Sequence, residues 1–302
     1  MHYTRPARDI TMKHADLHSL PHAGSPAGSA PVESPASSSA ALTPPPGHGP
    51  QITRAEIQAA FRDGLSALKR GRLAEAEQLL LLTLKRDPNH VAARVDLALV
   101  YDRRGDREGA LRELRAAARL DGTRAEAYVN LGAILAEEGR AGDALDYLRR
   151  ASQLDPGMFE VHYNLGLLHY RNGQVDEATA AFDRALALEP DRFEALFYRG
   201  LILSKRGRGQ DALATLERCL AQSPRHAATL YHLGVAYCRA DRFTDAIRTL
   251  ETAVQLVPDY PRAHYYLGIA YDRAGRAGDG ATAFRRASEL RASGEGRSYR
   301  FD

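Results

Sequence analysis

The side chains with chemistry to offer are few and scattered. His14 and His18 stand four residues apart, the spacing that can set two imidazoles on one helix face for a metal ion. They lie in a stretch interrupted by proline, where a helix would not hold them, so the favoured reading is a pair of solvated histidines. Cys219 and Cys238 are the two cysteines, too few for a disulfide framework or a four-ligand zinc site. Gly275, Gly278 and Gly280 are not followed by the Gly-Lys-Ser/Thr of a phosphate-binding loop and read as turn and weak-helix glycines. There is neither a nucleophile-elbow motif nor an HExxH pair. Charge pairs such as Asp102 and Arg103 belong to an ordinary solvated helix face. The expectation is a non-enzyme with no catalytic residues, no metal and no cofactor.

Composition narrows the class further. The chain has 302 residues, 44% hydrophobic and 26% charged, with 7% aromatic and no Trp. Its 41 basic and 38 acidic residues leave a net charge of +3, too small to call for nucleic acid or an anionic membrane as main partner. No apolar run approaches the roughly 20 residues of a membrane span. The segment Met1 to Asp16 has no apolar core of a secretory signal, and Met12 offers a second start. These features imply a reduced, cytoplasmic protein.

The elements that would position any site come from an internal repeat. Residues 1–50 stand apart, with nine of the 15 prolines and much Ser, Ala and Gly. Such a stretch cannot bury enough apolar surface to offset its ordering entropy, so a disordered tail is expected. From Ile57 onward four series recur every 34 residues. One runs Gly64, Ala98, Gly132, Gly166, Gly200, Gly234, Gly268, and another Ala76, Ala110, Ala144, Ala178, Ala212, Ala246, Gly280. A third is Pro88, Gly122, Pro156, Pro190, Pro224, Pro258, and the last Gly71, Gly105, Gly139, Gly173, Gly207, Asp241, Gly275. The phase is unbroken and gives seven repeats: 57–90, 91–124, 125–158, 159–192, 193–226, 227–260 and 261–294. Residues 295–302 follow as a short tail.

Each repeat reads as two helices. The first has apolar residues at helical spacing, as in Tyr128, Leu131, Ile134 and Leu135, and ends at a glycine suited to a left-handed cap. The second opens on an acid (Asp143, Glu177, Asp211, Asp245) and stops near a proline. Thr53 with Glu56, Thr123 with Glu126, and Asp191 with Glu194 have capping-box spacing.

This pattern resembles the tetratricopeptide repeat (TPR) family. The fourth repeat carries it well: Leu165-Gly166, Tyr170 one place late, Ala178, Phe182, Ala185 and Pro190. Departures are Asp63 for Leu, Ala98 for Gly, Gly122 for Pro and Gly280 for Ala. The resemblance implies an all-α, right-handed α-solenoid of seven helix pairs behind the disordered tail. It implies that the small residues at repeat positions eight and 20 face each other across each hairpin. It also implies that the first helices line a concave groove for another polypeptide.

The residues that the family would turn into the groove suggest a partner. At position six stand Asn130 and Asn164, then Tyr198, His232 and Tyr266; at position five stand Tyr163, Phe197, Tyr231 and Tyr265. Stacked Asn amides could pair with a peptide main chain, as in some members of the family, at about 1 kcal/mol each. The aromatic wall favours apolar anchors, or else fills space between repeats. Arg171, Lys205, Arg239 and Arg273 at position 13 favour an acidic segment, or else only complement their helix C-termini. Phe61 and Leu65 stand where the family's carboxylate-clamp members have Lys and Asn, so that clamp is not carried over. Leu81 and Leu82 replace residues that are mostly polar in other repeats, and mark either a self-association surface or a patch covered by the tail or the end of the stack.

The sequence thus points to an adaptor or scaffold that binds an extended or helical peptide segment of another protein. The alternatives are a self-associating (homo-oligomeric) assembly subunit and a regulatory or targeting subunit of a separate enzyme.

Overall fold

The computed structural model describes residues 53–293, which form fourteen α-helices and no strand among the described residues. The tail 1–50, with His14 and His18, and the segment 295–302 lie outside them. The chain makes two compact bodies, divided between Ile134 and Leu135. The first holds α1 (Arg54–Lys69), α2 (Leu73–Arg86), α3 (Val91–Arg104), α4 (Arg107–Leu120) and most of α5 (Ala125–Glu137). The second holds α6 (Ala141–Leu154), α7 (Phe159–Arg171), α8 (Val175–Leu188), α9 (Phe193–Lys205) and α10 (Gly209–Gln222). It continues through α11 (Ala227–Arg239), α12 (Phe243–Leu256), α13 (Pro261–Arg273) and α14 (Ala277–Ser293). In each body a helix packs on its hairpin partner, and the second helix of a pair packs on the first helix of the next.

Local chemistry sets the helix ends. The glycines closing the first helices, Gly71, Gly105, Gly139, Gly173, Gly207 and Gly275, have φ between 73° and 88°. In this left-handed region a Cβ would strain the backbone. Asp241 holds the same place at φ 56°. Changing Gly207 to Ala should therefore lower the unfolding free energy by about 1 kcal/mol. Changing Gly209 to Ala, two residues on, should raise it by about 0.5 kcal/mol. A Cβ on Gly209 meets open space in the first turn of α10. Denaturant titration of the two variants checks the opposite signs.

Of the three capping boxes, Thr53 with Glu56 forms: the Thr53 amide donates to the Glu56 carboxylate at 2.6 Å and the Glu56 amide to Thr53 Oγ1 at 3.3 Å. The other two do not. The Asp121 carboxylate takes both the amide and the hydroxyl of Thr123, and α5 begins only at Ala125. Arg192, not Asp191, caps α9, without a side-chain bond. The caps fall on position 34, where His90 and His226 serve directly. His90 Nδ1 accepts from the Ala93 amide at 3.1 Å and His226 Nδ1 from Thr229 at 3.2 Å.

Those two caps make stability depend on pH. Burial lowers the pKa of both imidazoles, outweighing Asp87 in the case of His90. Their folded values thus lie below the unfolded 6.5, and the cap is fully present above that pH. It is lost as pH falls through the lowered values, because a protonated Nδ1 cannot accept. A His90→Asn, His226→Asn double variant keeps an acceptor that does not titrate. Its melting temperature between pH 7 and pH 5 should fall less than that of the wild type.

Packing inside each hairpin follows the small-residue series with one addition. The position-20 alanines from Ala76 to Ala246 are wholly buried, and a Cβ on Gly280 would stand 3.2 Å from the Gly268 carbonyl oxygen. In the last hairpin the two small positions thus face each other, and in the later hairpins position 24 adds a large knob over the glycine. Phe182 lies on Gly166, Leu216 on Gly200, Leu250 on Gly234 and Phe284 on Gly268. The second body's core continues through Leu201, Leu233, Tyr260 and Leu267, which interlock neighbouring hairpins.

Candidate functional site

The groove candidates divide by burial. In the first body Asn130 is wholly buried; in the second, Asn164, Tyr163 and Tyr231 are also buried. Phe197, Tyr198, His232 and Tyr266 are half-buried, and Tyr265 is 40% exposed. Arg171, Lys205, Arg239 and Arg273 are exposed. The Asn amides are therefore folded into their bodies, while the aromatics of α9, α11 and α13 and the cations remain reachable.

The rings are continuous. In the second body contacts lead from Phe159 to Tyr163, Tyr198, Phe197, His232, Tyr231, Tyr266, Tyr265 and Phe284, with centroids 4.8–6.3 Å apart. Most pairs meet edge to face, the arrangement the ring quadrupole favours. The aromatics thus do pack between repeats, and they also offer edges and faces at the surface.

The basic stripe has a structural role that sequence spacing hides. Arg103 Nη1 donates to the Leu68 carbonyl at 3.1 Å and Arg239 Nη1 to the Ser204 carbonyl at 3.0 Å. Lys205 Nζ donates to the Tyr170 hydroxyl at 2.7 Å. Each bond spans 35 residues, from position 13 of one repeat to position 12 of the one before. The cations therefore staple the C-terminal end of one first helix to the next, where the helix dipole favours them.

A second staple links later repeats. The Tyr237 hydroxyl donates to Glu217 at 2.7 Å and the Tyr271 hydroxyl to Glu251 at 2.5 Å. Burial and the neighbouring carboxylates push both phenols up to about 12. Arg242 and Arg276 lie over the two rings at 4.5 and 4.4 Å. In the first repeat the acid's position is taken by Leu81.

Leu81 and Leu82 are 44% and 41% exposed on α2. Cys219 is buried and Cys238 half-buried; burial pushes both thiols to about 11, so neither is a thiolate at neutral pH. Among the described residues no group of three or more His, Cys, Asp or Glu is placed to hold a metal ion, and no helix is long and apolar enough to cross a membrane.

Solved structures share the fold. MamA (residues 41 to the end) from Desulfovibrio magneticus RS-1 is 29% identical with a TM-score of 0.52, covering 56% of this chain and 96% of its own. PilF from Pseudomonas aeruginosa is 24% identical with a TM-score of 0.65, covering 68% of this chain and 94% of its own. YrrB, described as a TPR protein with an unusual peptide-binding site, is 24% identical with a TM-score of 0.50, covering 61% and 95%. No curated protein sequence matches the chain. A tetratricopeptide repeat profile matches residues 61–125, 163–227 and 231–295, and two further TPR profiles match 132–173 and 203–254. With paired helices, glycine-closed turns and the small-residue seam in the same register, the chain belongs to the tetratricopeptide repeat family, whose repeats build protein-interaction scaffolds.

Proposed function

We propose that this protein is a non-enzymatic adaptor that holds a peptide segment of a partner protein along α9, α11 and α13. The observation that carries this reading is the run of partly exposed rings with exposed cations two helical turns further along the same three helices. Phe197, Tyr198, His232, Tyr265 and Tyr266 give apolar and edge contacts, and Lys205, Arg239 and Arg273 give positive charge further along the same helices. Aromatic surface next to guanidinium groups is the composition of interface anchors. The matching segment is acidic, with apolar side chains between its charges. Asn164 would join as a main-chain partner only where a peptide displaces what buries it.

A photo-crosslinking residue placed at position 265 tests this reading. It should capture a partner segment in native lysate, whereas the same residue at Ser288, on the outer side of α14, should not. Equal capture at both positions, or none at 265, would overturn it. The exposure of Leu81 and Leu82 favours self-association as a second reading. Sedimentation should then show a concentration-dependent dimer that Leu81→Ser, Leu82→Ser abolishes, and a monomer at all concentrations sinks it.

A further inference from the structure

Five of the second helices are followed by a proline, and at four of these a cationic or imidazole side chain meets the proline carbonyl. Pro88 O receives Arg94 (2.7 Å), Pro156 O receives His162 (2.8 Å), and Pro258 O receives His264 (2.8 Å), each from position four of the following repeat. Pro190 O instead receives Arg218 at 2.8 Å from position 26, and the same guanidinium reaches Asp191. Pro224 breaks the pattern. The following repeat has Leu230 at position four and Thr252 at position 26, and no described side chain donates to the Pro224 carbonyl.

The space that those missing side chains would fill is open. A groove of about 510 Å³ lies between α10 and α12, over α11. Its floor is Leu220, Leu230 and Leu233, and Pro224 and Thr252 line it together. Glu217, which takes the Tyr237 hydroxyl, supplies a carboxylate. Arg248 also lines the groove, but its guanidinium is held by Asp245 of its own helix at 3.2 Å, and Arg242 lies over the Tyr237 ring and pairs with Asp245 at 2.7 Å. Asp245 takes the nearest bond of both arginines, and Glu217, which also faces Arg242 and takes the Tyr237 hydroxyl on one oxygen, has its other oxygen to offer a donor in the groove.

We propose that this groove is a second binding site, on the face made by the second helices, and that its occupant is an arginine side chain of a partner polypeptide. Four other proline carbonyls show which chemistry fits, since this chain fills those sockets itself with guanidinium or imidazole donors. A guanidinium on an apolar stem can cover the leucine floor while its N–H groups bond Pro224 O and Glu217. The site is separate from the aromatic run of α9, α11 and α13 and holds whether or not that run binds peptide.

The test fills the socket from within. The probe is a blocked pentapeptide, Gly-Gly-Arg-Gly-Gly, titrated against the isotope-labelled full chain while the backbone amides of Leu230, Leu233 and Thr249 are followed by NMR. Saturable shifts are expected there, and none from the same peptide with norleucine in place of arginine. Thr252→Arg, which restores the residue type of the neighbouring repeats, should weaken the shifts at least about tenfold. Leu230→His, which supplies the imidazole found at His162 and His264, should do the same and covers a failure of the first variant to fold. Absence of shifts in the wild type, equal shifts with norleucine, or undiminished binding in whichever variants remain folded would overturn the proposal.

Discussion

Alanine at Gly234 should lower the unfolding free energy by about 2–3 kcal/mol, a large effect for one methyl group. An added Cβ would stand 2.4 Å from Leu250 Cγ, and Leu250 is wholly buried between its hairpin and the next, so it has nowhere to move. The same change at Gly64 should be close to neutral. There the added Cβ meets Leu79 and Leu80 at 3.2 Å, a fit that a small shift relieves, and the helix gains from losing a glycine. Leu250→Ala alone should cost about 3–4 kcal/mol through the cavity it leaves. Together with Gly234→Ala it should cost less than the sum by at least about 1 kcal/mol, since the new methyl occupies part of that cavity. Urea unfolding of the four proteins in this cycle is the measurement. Strict additivity would mean that the position-24 knob does not rest on the glycine.

That contrast shows where the repeat phase is informative and where it stops. Backbone requirements repeat with the sequence: each left-handed turn falls on its glycine, or on Asp241, and each second helix with a proline at position 32 stops before it. Side-chain surroundings do not. Asn164 and Tyr163 hold positions that the family turns toward a ligand, yet both are buried here, and Tyr163 packs against Phe182 and Tyr198 from later helices. Large aromatics on neighbouring repeats decide that exposure, and no period of 34 predicts them. Thr123 misleads because Asp121, two residues earlier, competes for it as a turn former. The position-13 staples were illegible for a different reason. Two of the three position-13 bonds end on backbone carbonyls, which leave no trace in residue types. The proline sockets, by contrast, have a signal six residues downstream, in Arg94, His162 and His264.

The double use of position 13 shapes the test of peptide binding. Reversing Lys205 and Arg239 to Glu should weaken binding of an acidic, aromatic-bearing segment by about tenfold to a hundredfold, mostly in the dissociation rate if the charges are in contact. The wild-type affinity should itself fall with added salt, because exposed charges are screened over about 8 Å at physiological ionic strength. The same double change breaks the bonds to Tyr170 and Ser204, so some loss of stability is expected with it. Lys205→Met with Arg239→Met removes the staples without reversing charge, and separates the two effects. If staples alone matter, the Met pair and the Glu pair will bind equally and melt equally. If the cations face the ligand, the Glu pair will bind more weakly than the Met pair at low salt, and the difference will shrink as salt rises. Arg273, at the same position in the last repeat, gives the sharpest variant. Its side chain is exposed and is not among the staples to a preceding repeat, so Arg273→Glu should reduce affinity several-fold at nearly constant melting temperature. Binding unchanged by all three variants would leave the exposed cations as structural residues only.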